Sequence, residues 1–152
     1  MKKLLVIFMA AVMCLMSCTK DSSVVKKLYN DSTTIENVTY AINITNIGED
    51  YFWENTNKTE EVTLKYKFNY ERKSDLLKDF AELAEGVSKF DNSLIPTFTQ
   101  TFRFTNDEEH EVVVYREVSG GNVLVRFVVG PKTFSLPYSF IVGANNALQP
   151  KE

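Results

Sequence analysis

From Val62 to Tyr70 the chain reads Val-Thr-Leu-Lys-Tyr-Lys-Phe-Asn-Tyr, apolar and polar residues in strict turn. Side chains on a strand point alternately to the two faces of a sheet, so this run can bury one face and wet the other only as a strand. Val38, Tyr40, Ile42 and Ile44 repeat the pattern against Thr39, Ala41, Asn43 and Thr45. Phe98, Phe102 and Phe104 give a third strand, and Val112 to Val118 and Val123 to Val129 give two more. The last pair is joined through Ser119-Gly120-Gly121-Asn122, a turn sequence that marks a hairpin. A final short segment surrounds Phe134 and Leu136. Pro131 and Pro137 flank it and cannot donate to a ladder, which places it at a sheet edge.

One stretch breaks the alternation. Between Ser74 and Phe90 the apolar residues Leu76, Leu77, Phe80, Leu83, Ala84 and Val87 fall at helical spacing, with Asp75, Lys78, Asp79, Glu82 and Glu85 opposite. Ser74 is suited to cap this helix, and Gly86 to end it in a left-handed turn. The pattern predicts a β-dominated α+β domain. Its curved antiparallel sheet has about six strands, and the amphipathic helix lies between the second and third. An Ig-like β-sandwich with a crossover helix is the alternative. No internal repeat is evident.

The first residues carry a different signal. Lys2-Lys3 precede an apolar run from Leu4 to Met16, shorter than the roughly 20 residues a spanning helix needs. The run closes on Leu15-Met16-Ser17-Cys18, which resembles the lipobox of bacterial lipoproteins, in a Bacteroidota-like form. That resemblance implies cleavage before Cys18 and lipidation of Cys18, with palmitate among the chains. Thr19 stands where an aspartate would favour the inner membrane, so the implied address is the outer membrane, on either its periplasmic or its surface side. Asp31-Ser32-Thr33 resembles the O-glycosylation triplet of Bacteroidota.

The expected organisation is a signal peptide over 1–17, a lipid-anchored tether over 18–33 and one β-rich domain over 34–152. Loss of residues 1–17 leaves 135, enough for one core. It also removes Lys2 and Lys3, so 15 basic residues face 20 acidic ones, a balance of −5. A mildly acidic domain has no electrostatic footprint for nucleic acid. The two cysteines, Cys14 and Cys18, lie in or beside the signal, so with Cys18 acylated the folded part has no thiol for disulfide, nucleophile or metal.

Chemistry-bearing patterns are sparse. His110 follows Asp107-Glu108-Glu109, but this acidic turn lacks the spacing of a calcium loop and reads as solvated. No Gly-x-Ser-x-Gly elbow is present, and nothing nominates a buried carboxylate pair for general acid–base work. No catalytic residue, metal or cofactor is expected. The binding candidate is Tyr51-Phe52-Trp53, with the only tryptophan of the chain. With Phe52 in the core, Tyr51 and Trp53 would project outward to stack on a sugar or anchor a protein. The opposite parity would make them core. These features point to a non-catalytic, lipid-anchored envelope module with a protein partner, or else to a glycan- or small-ligand-binding lipoprotein. A hydrolase is a third class and would need paired carboxylates in a pocket.

Overall fold

The computed structural model describes residues 24–92, 97–104 and 109–150. The first sheet is β1 (Val25–Ile35), β2 (Val38–Ile47), β3 (Asp50–Lys58) and β4 (Thr63–Tyr70), followed by helix α1 (Lys73–Ser88). The second is β5 (Thr97–Phe102), β6 (His110–Ser119), β7 (Asn122–Val129) and β8 (Lys132–Pro137), followed by helix α2 (Tyr138–Leu148). Both sheets are antiparallel meanders with their strands side by side in chain order.

This corrects the single curved sheet of six strands. Among the described residues there are two four-stranded sheets and two α-helices, and α1 lies between the fourth and fifth of these strands. Nor is it the Ig-like alternative, because simple meanders replace the Greek-key connections of that sandwich. The four-strands-then-helix order also occurs twice, a structural repetition that the sequence does not display.

Three elements account for the difference. β1 occupies residues read as tether, and most of its side chains stay exposed. It therefore lacks the apolar alternation that marks a half-buried strand. β3 runs through Asn55, Thr56 and Asn57, three polar residues in a row with no apolar alternation, yet Asn55 is wholly buried. α2 buries Phe140, Ile141, Ala144 and Leu148 in a stretch with no charged residue to mark a polar face.

Helix α1 buries Leu76, Phe80, Leu83 and Val87 as their spacing requires. Its ends differ from expectation. Arg72, not Ser74, holds the N-cap position, without a side-chain cap. Gly86 stays inside the helix and has a packing role instead, because a Cβ there would lie 2.4 Å from the Phe98 ring on β5. α2 repeats the device, with a Cβ on Gly143 meeting the Tyr29 hydroxyl of β1 at 2.4 Å. Each helix thus presents a glycine to an aromatic of the other unit's first strand.

The sheets share one core, centred on Trp53 of β3. Its ring lies 5.1–6.0 Å from those of Phe68, Phe80, Phe102, Phe127 and Phe134. Those five rings come from β4, α1, β5, β7 and β8, so one side chain touches both sheets and a helix. β8 is an edge strand, as its prolines demand. Its Ser135 is bound through the main chain to the Asn57 side chain of β3.

Candidate functional site

The residues nominated from sequence separate in the fold. Cys18 lies outside the described residues, as do Asp107 and Glu108 of the acidic turn. Glu109 is ion-paired with Arg103, and the His110 ring stacks on Phe104 with centroids 4.7 Å apart. Among the described residues no three His, Cys, Asp or Glu side chains converge to hold a metal.

Tyr51 and Trp53 do share a face of β3, but it is the inner one. Trp53 is 1 % exposed and Tyr51 is half-buried against the core. The outward aromatic pair is therefore overturned: Trp53 cannot stack on a ligand. Phe52 faces the other side, with the Lys67 ammonium 4.2 Å above its ring. The parity of the three aromatics was legible from sequence. Which parity faced inward depended on Tyr40, Ile42 and Ile44 of β2, whose inner row pairs with Asn57, Asn55 and Trp53.

Sequence reasoning also placed Asp79 on the solvated face of α1, whereas it is 2 % exposed. Its carboxylate accepts the Arg103 N–H at 3.1 Å, and its carbonyl accepts the Gln100 side-chain amide at 2.8 Å. Burial lifts this carboxyl to about 6, against the downward pull of the Arg103 N–H and the neighbouring Tyr70 hydroxyl. Tyr70, itself buried, comes close to Asp79 without reaching hydrogen-bond geometry. Burial first, and the Asp79 charge second, push its phenol well above the ordinary range. A carboxyl bound in this way fastens α1 to β5 rather than reaching toward a substrate.

The surface offers a better candidate. Three hairpin tips meet at one pole of the domain. Glu36-Asn37 closes β1–β2 with both residues at positive φ, the two-residue turn that matches strand twist. Thr59 closes β3–β4, its N–H donating to the Val62 carbonyl at 2.8 Å and its hydroxyl accepting the Val62 N–H at 3.0 Å. Gly120-Gly121 closes β6–β7, and a Cβ on Gly120 would strike the Glu36 side chain at 2.9 Å, which puts this tip beside the first. Ser135 ties the arrangement together, its hydroxyl donating to Glu117 at 3.1 Å while its main chain pairs with Asn57.

Val62, Leu64 and Val118, 42–54 % exposed, all belong to the strand ends and turn at this pole. Glu36, Glu60 and Glu61 are exposed around them, with Lys58 as the basic neighbour. The other large exposed apolar residues among those described are Val24 and Val25, at the opposite end of β1. Exposed apolar surface rimmed by charge is what a protein–protein contact uses. Among the described residues no helix is long and apolar enough to cross a membrane. No protein family and no curated relative matches this sequence.

Proposed function

We propose that this chain is a lipid-anchored protein of the bacterial outer membrane that acts as a non-catalytic interaction module. The observation that carries the reading is the polar separation of its exposed apolar residues. Val24 and Val25 stand where the anchor leads in, and Val62, Leu64 and Val118 stand at the far ends of the strands. Val25 is seven residue steps from Cys18, a reach of at most about 25 Å. Lipid on Cys18 would therefore hold the start of β1 close to the bilayer. The hairpin pole would then face away from it by the length of β1, 11 residues or about 35 Å. The acidic rim favours a partner with basic residues around an apolar centre.

The test is crosslinking of the full lipoprotein in native envelopes, comparing the parent chain with Leu64→Asp, Val118→Asp and Cys18→Ala. A stoichiometric protein adduct that both pole variants lose supports the module. An adduct unchanged in both removes the pole from consideration. Cys18→Ala protein that still fractionates with membranes would sink the anchor independently of the partner.

A further inference from the structure

Among the described residues each sheet ends on two edge strands, β1 and β4 in the first and β5 and β8 in the second. An open edge is a row of unpaired main-chain groups that attracts any further strand, so proteins blunt it with charge, proline or a bulge, or cover it. Three of these four edges are blunted. β1 carries Lys26, Lys27 and Asp31 and a register shift between Lys27 and Tyr29. β4 carries Lys65 and Lys67, and β8 carries Lys132 and Pro137 with the Asn57 amide clamped on its main chain. β5 is the exception. It has no charged residue, no proline and no shift in its pairing with β6.

Two observations identify the free groups of that edge. Successive residues of an antiparallel strand turn their main-chain groups to opposite sides. The Arg103 N–H reaches Asp79 on α1, so the groups of Thr101, Thr99 and Thr97 face the same way, off the edge. The two-residue hairpin at Gly120-Gly121 gives the same parity. Its closing pair is Ser119 and Asn122, so Tyr115 and Val113 bond to β7, and their β5 partners Thr97 and Thr99 turn outward. Alongside runs a groove of about 400 Å³ whose other wall is α1, with Glu82, Glu85, Gly86 and Lys89. The Asp79 carbonyl meets Gln100 and Gly86 meets Phe98, so α1 runs antiparallel to β5. Glu82 and Glu85 therefore stand beside the Thr101 end of the groove and Lys89 beside the Thr97 end, all three exposed. Lys78 lies 4.0 Å from Glu82, an exposed pair that contributes little.

We infer that an extended segment of a partner protein adds to this edge as a further strand, antiparallel to β5, through main-chain hydrogen bonds to Thr97, Thr99 and Thr101. Its alternate side chains enter the groove. From its N-terminus they are basic beside Glu82 and Glu85, apolar over Gly86 and Phe98, and acidic beside Lys89. The main-chain bonds supply affinity, and the run of acid, acid and base along α1 sets the direction of the strand. A second copy of this chain is a poorer occupant, because its own α1 would have to enter the groove together with its β5. The inference stands apart from the anchor and the hairpin pole, since none of their residues lines this edge.

Amide NMR of the full chain in a zwitterionic detergent tests it, with the end-capped heptapeptide Thr-Lys-Thr-Val-Thr-Glu-Thr as the probe. The expected result is saturable shifts confined to β5 and to the face of α1 from Glu82 to Lys89, with a Kd of about 1 mM or tighter. N-methylation of the two inner threonines, whose N–H groups face β5, should weaken binding about tenfold or more, whereas N-methylation of the valine should not. Glu82→Lys together with Glu85→Lys should weaken it about fivefold or more, and a probe with glutamate in place of its lysine should recover that loss. No saturable shift up to about 10 mM overturns the inference. It is equally overturned by binding indifferent to threonine methylation or to the charge reversal, or by a dimer of the peptide-free chain that Thr99→Pro dissociates.

Discussion

The Asn57 side chain pairs with both main-chain groups of Ser135. Its amide nitrogen donates to the Ser135 carbonyl and its amide oxygen accepts the Ser135 N–H, each at 2.7 Å. An amide side chain here takes the place of a neighbouring strand along the open edge of β8. The two sheets, 78 residues apart at this point, are thereby fixed in register. Asn57→Ala leaves a partly buried N–H and C=O without partners, at a cost of about 1–3 kcal/mol. The urea midpoint should fall with an unchanged slope, while Thr56→Ala one residue away on the outer face should move it little.

Asp79 makes stability depend on pH in a definite direction. Its carboxyl titrates at about 6 in the fold against an ordinary value of 3.8. The folded chain therefore keeps the proton where the unfolded chain has lost it. The contribution is full below about pH 4 and is lost as pH rises through about 6. A separation of that size amounts to roughly 3 kcal/mol. Asp79→Asn keeps an oxygen for the Arg103 N–H and cannot ionise. It should match the parent near pH 4 and exceed it by about 2–3 kcal/mol at pH 8, measured by urea unfolding at both values. A variant less stable than the parent at pH 8 would refute this account of the site.

Gly86 shows two rules in competition. Alanine improves helix propensity by up to about 1 kcal/mol, but its Cβ would sit 2.4 Å from the Phe98 ring, which itself packs on Phe90 at 5.6 Å. Overpacking of this kind costs about 1–3 kcal/mol, so Gly86→Ala should destabilise. With Phe98→Leu in the same chain the penalty should shrink below the sum of the single effects. Calorimetric melting of the two single variants and the double variant decides it.

Trp53→Ala should behave as a core deletion. It removes the ring that five phenylalanines contact, at a cost of about 3–5 kcal/mol. Loss of near-UV circular dichroism at 37 °C would be the readout. Tryptophan emission in the parent chain should be blue-shifted and insensitive to surface ligands. Asn55 offers the opposite outcome. It is wholly buried and both polar atoms of its amide lack partners, so Asn55→Leu should raise stability by about 1–3 kcal/mol.

Period-two alternation by itself determined β2, β4, β5, β6 and β7, because each has one face against the core and one toward solvent. The helical spacing of Leu76, Phe80, Leu83 and Val87 determined α1, and Pro131 and Pro137 determined that β8 ends a sheet. What tertiary structure alone decided were elements whose side-chain environment is set by distant chain. β1 is a strand because β2 pairs with it along its length, and β3 carries bridging Asn57 because β8, some eighty residues on, packs against it. Asp79 shows the same limit in reverse. Its charge predicts solvent exposure, and only the arrival of Arg103 and Tyr70 provides an interior place for it. A local pattern records which residues avoid water along one element. It carries no record of which other elements will exclude water from that side, since burial is a property of the assembled layers.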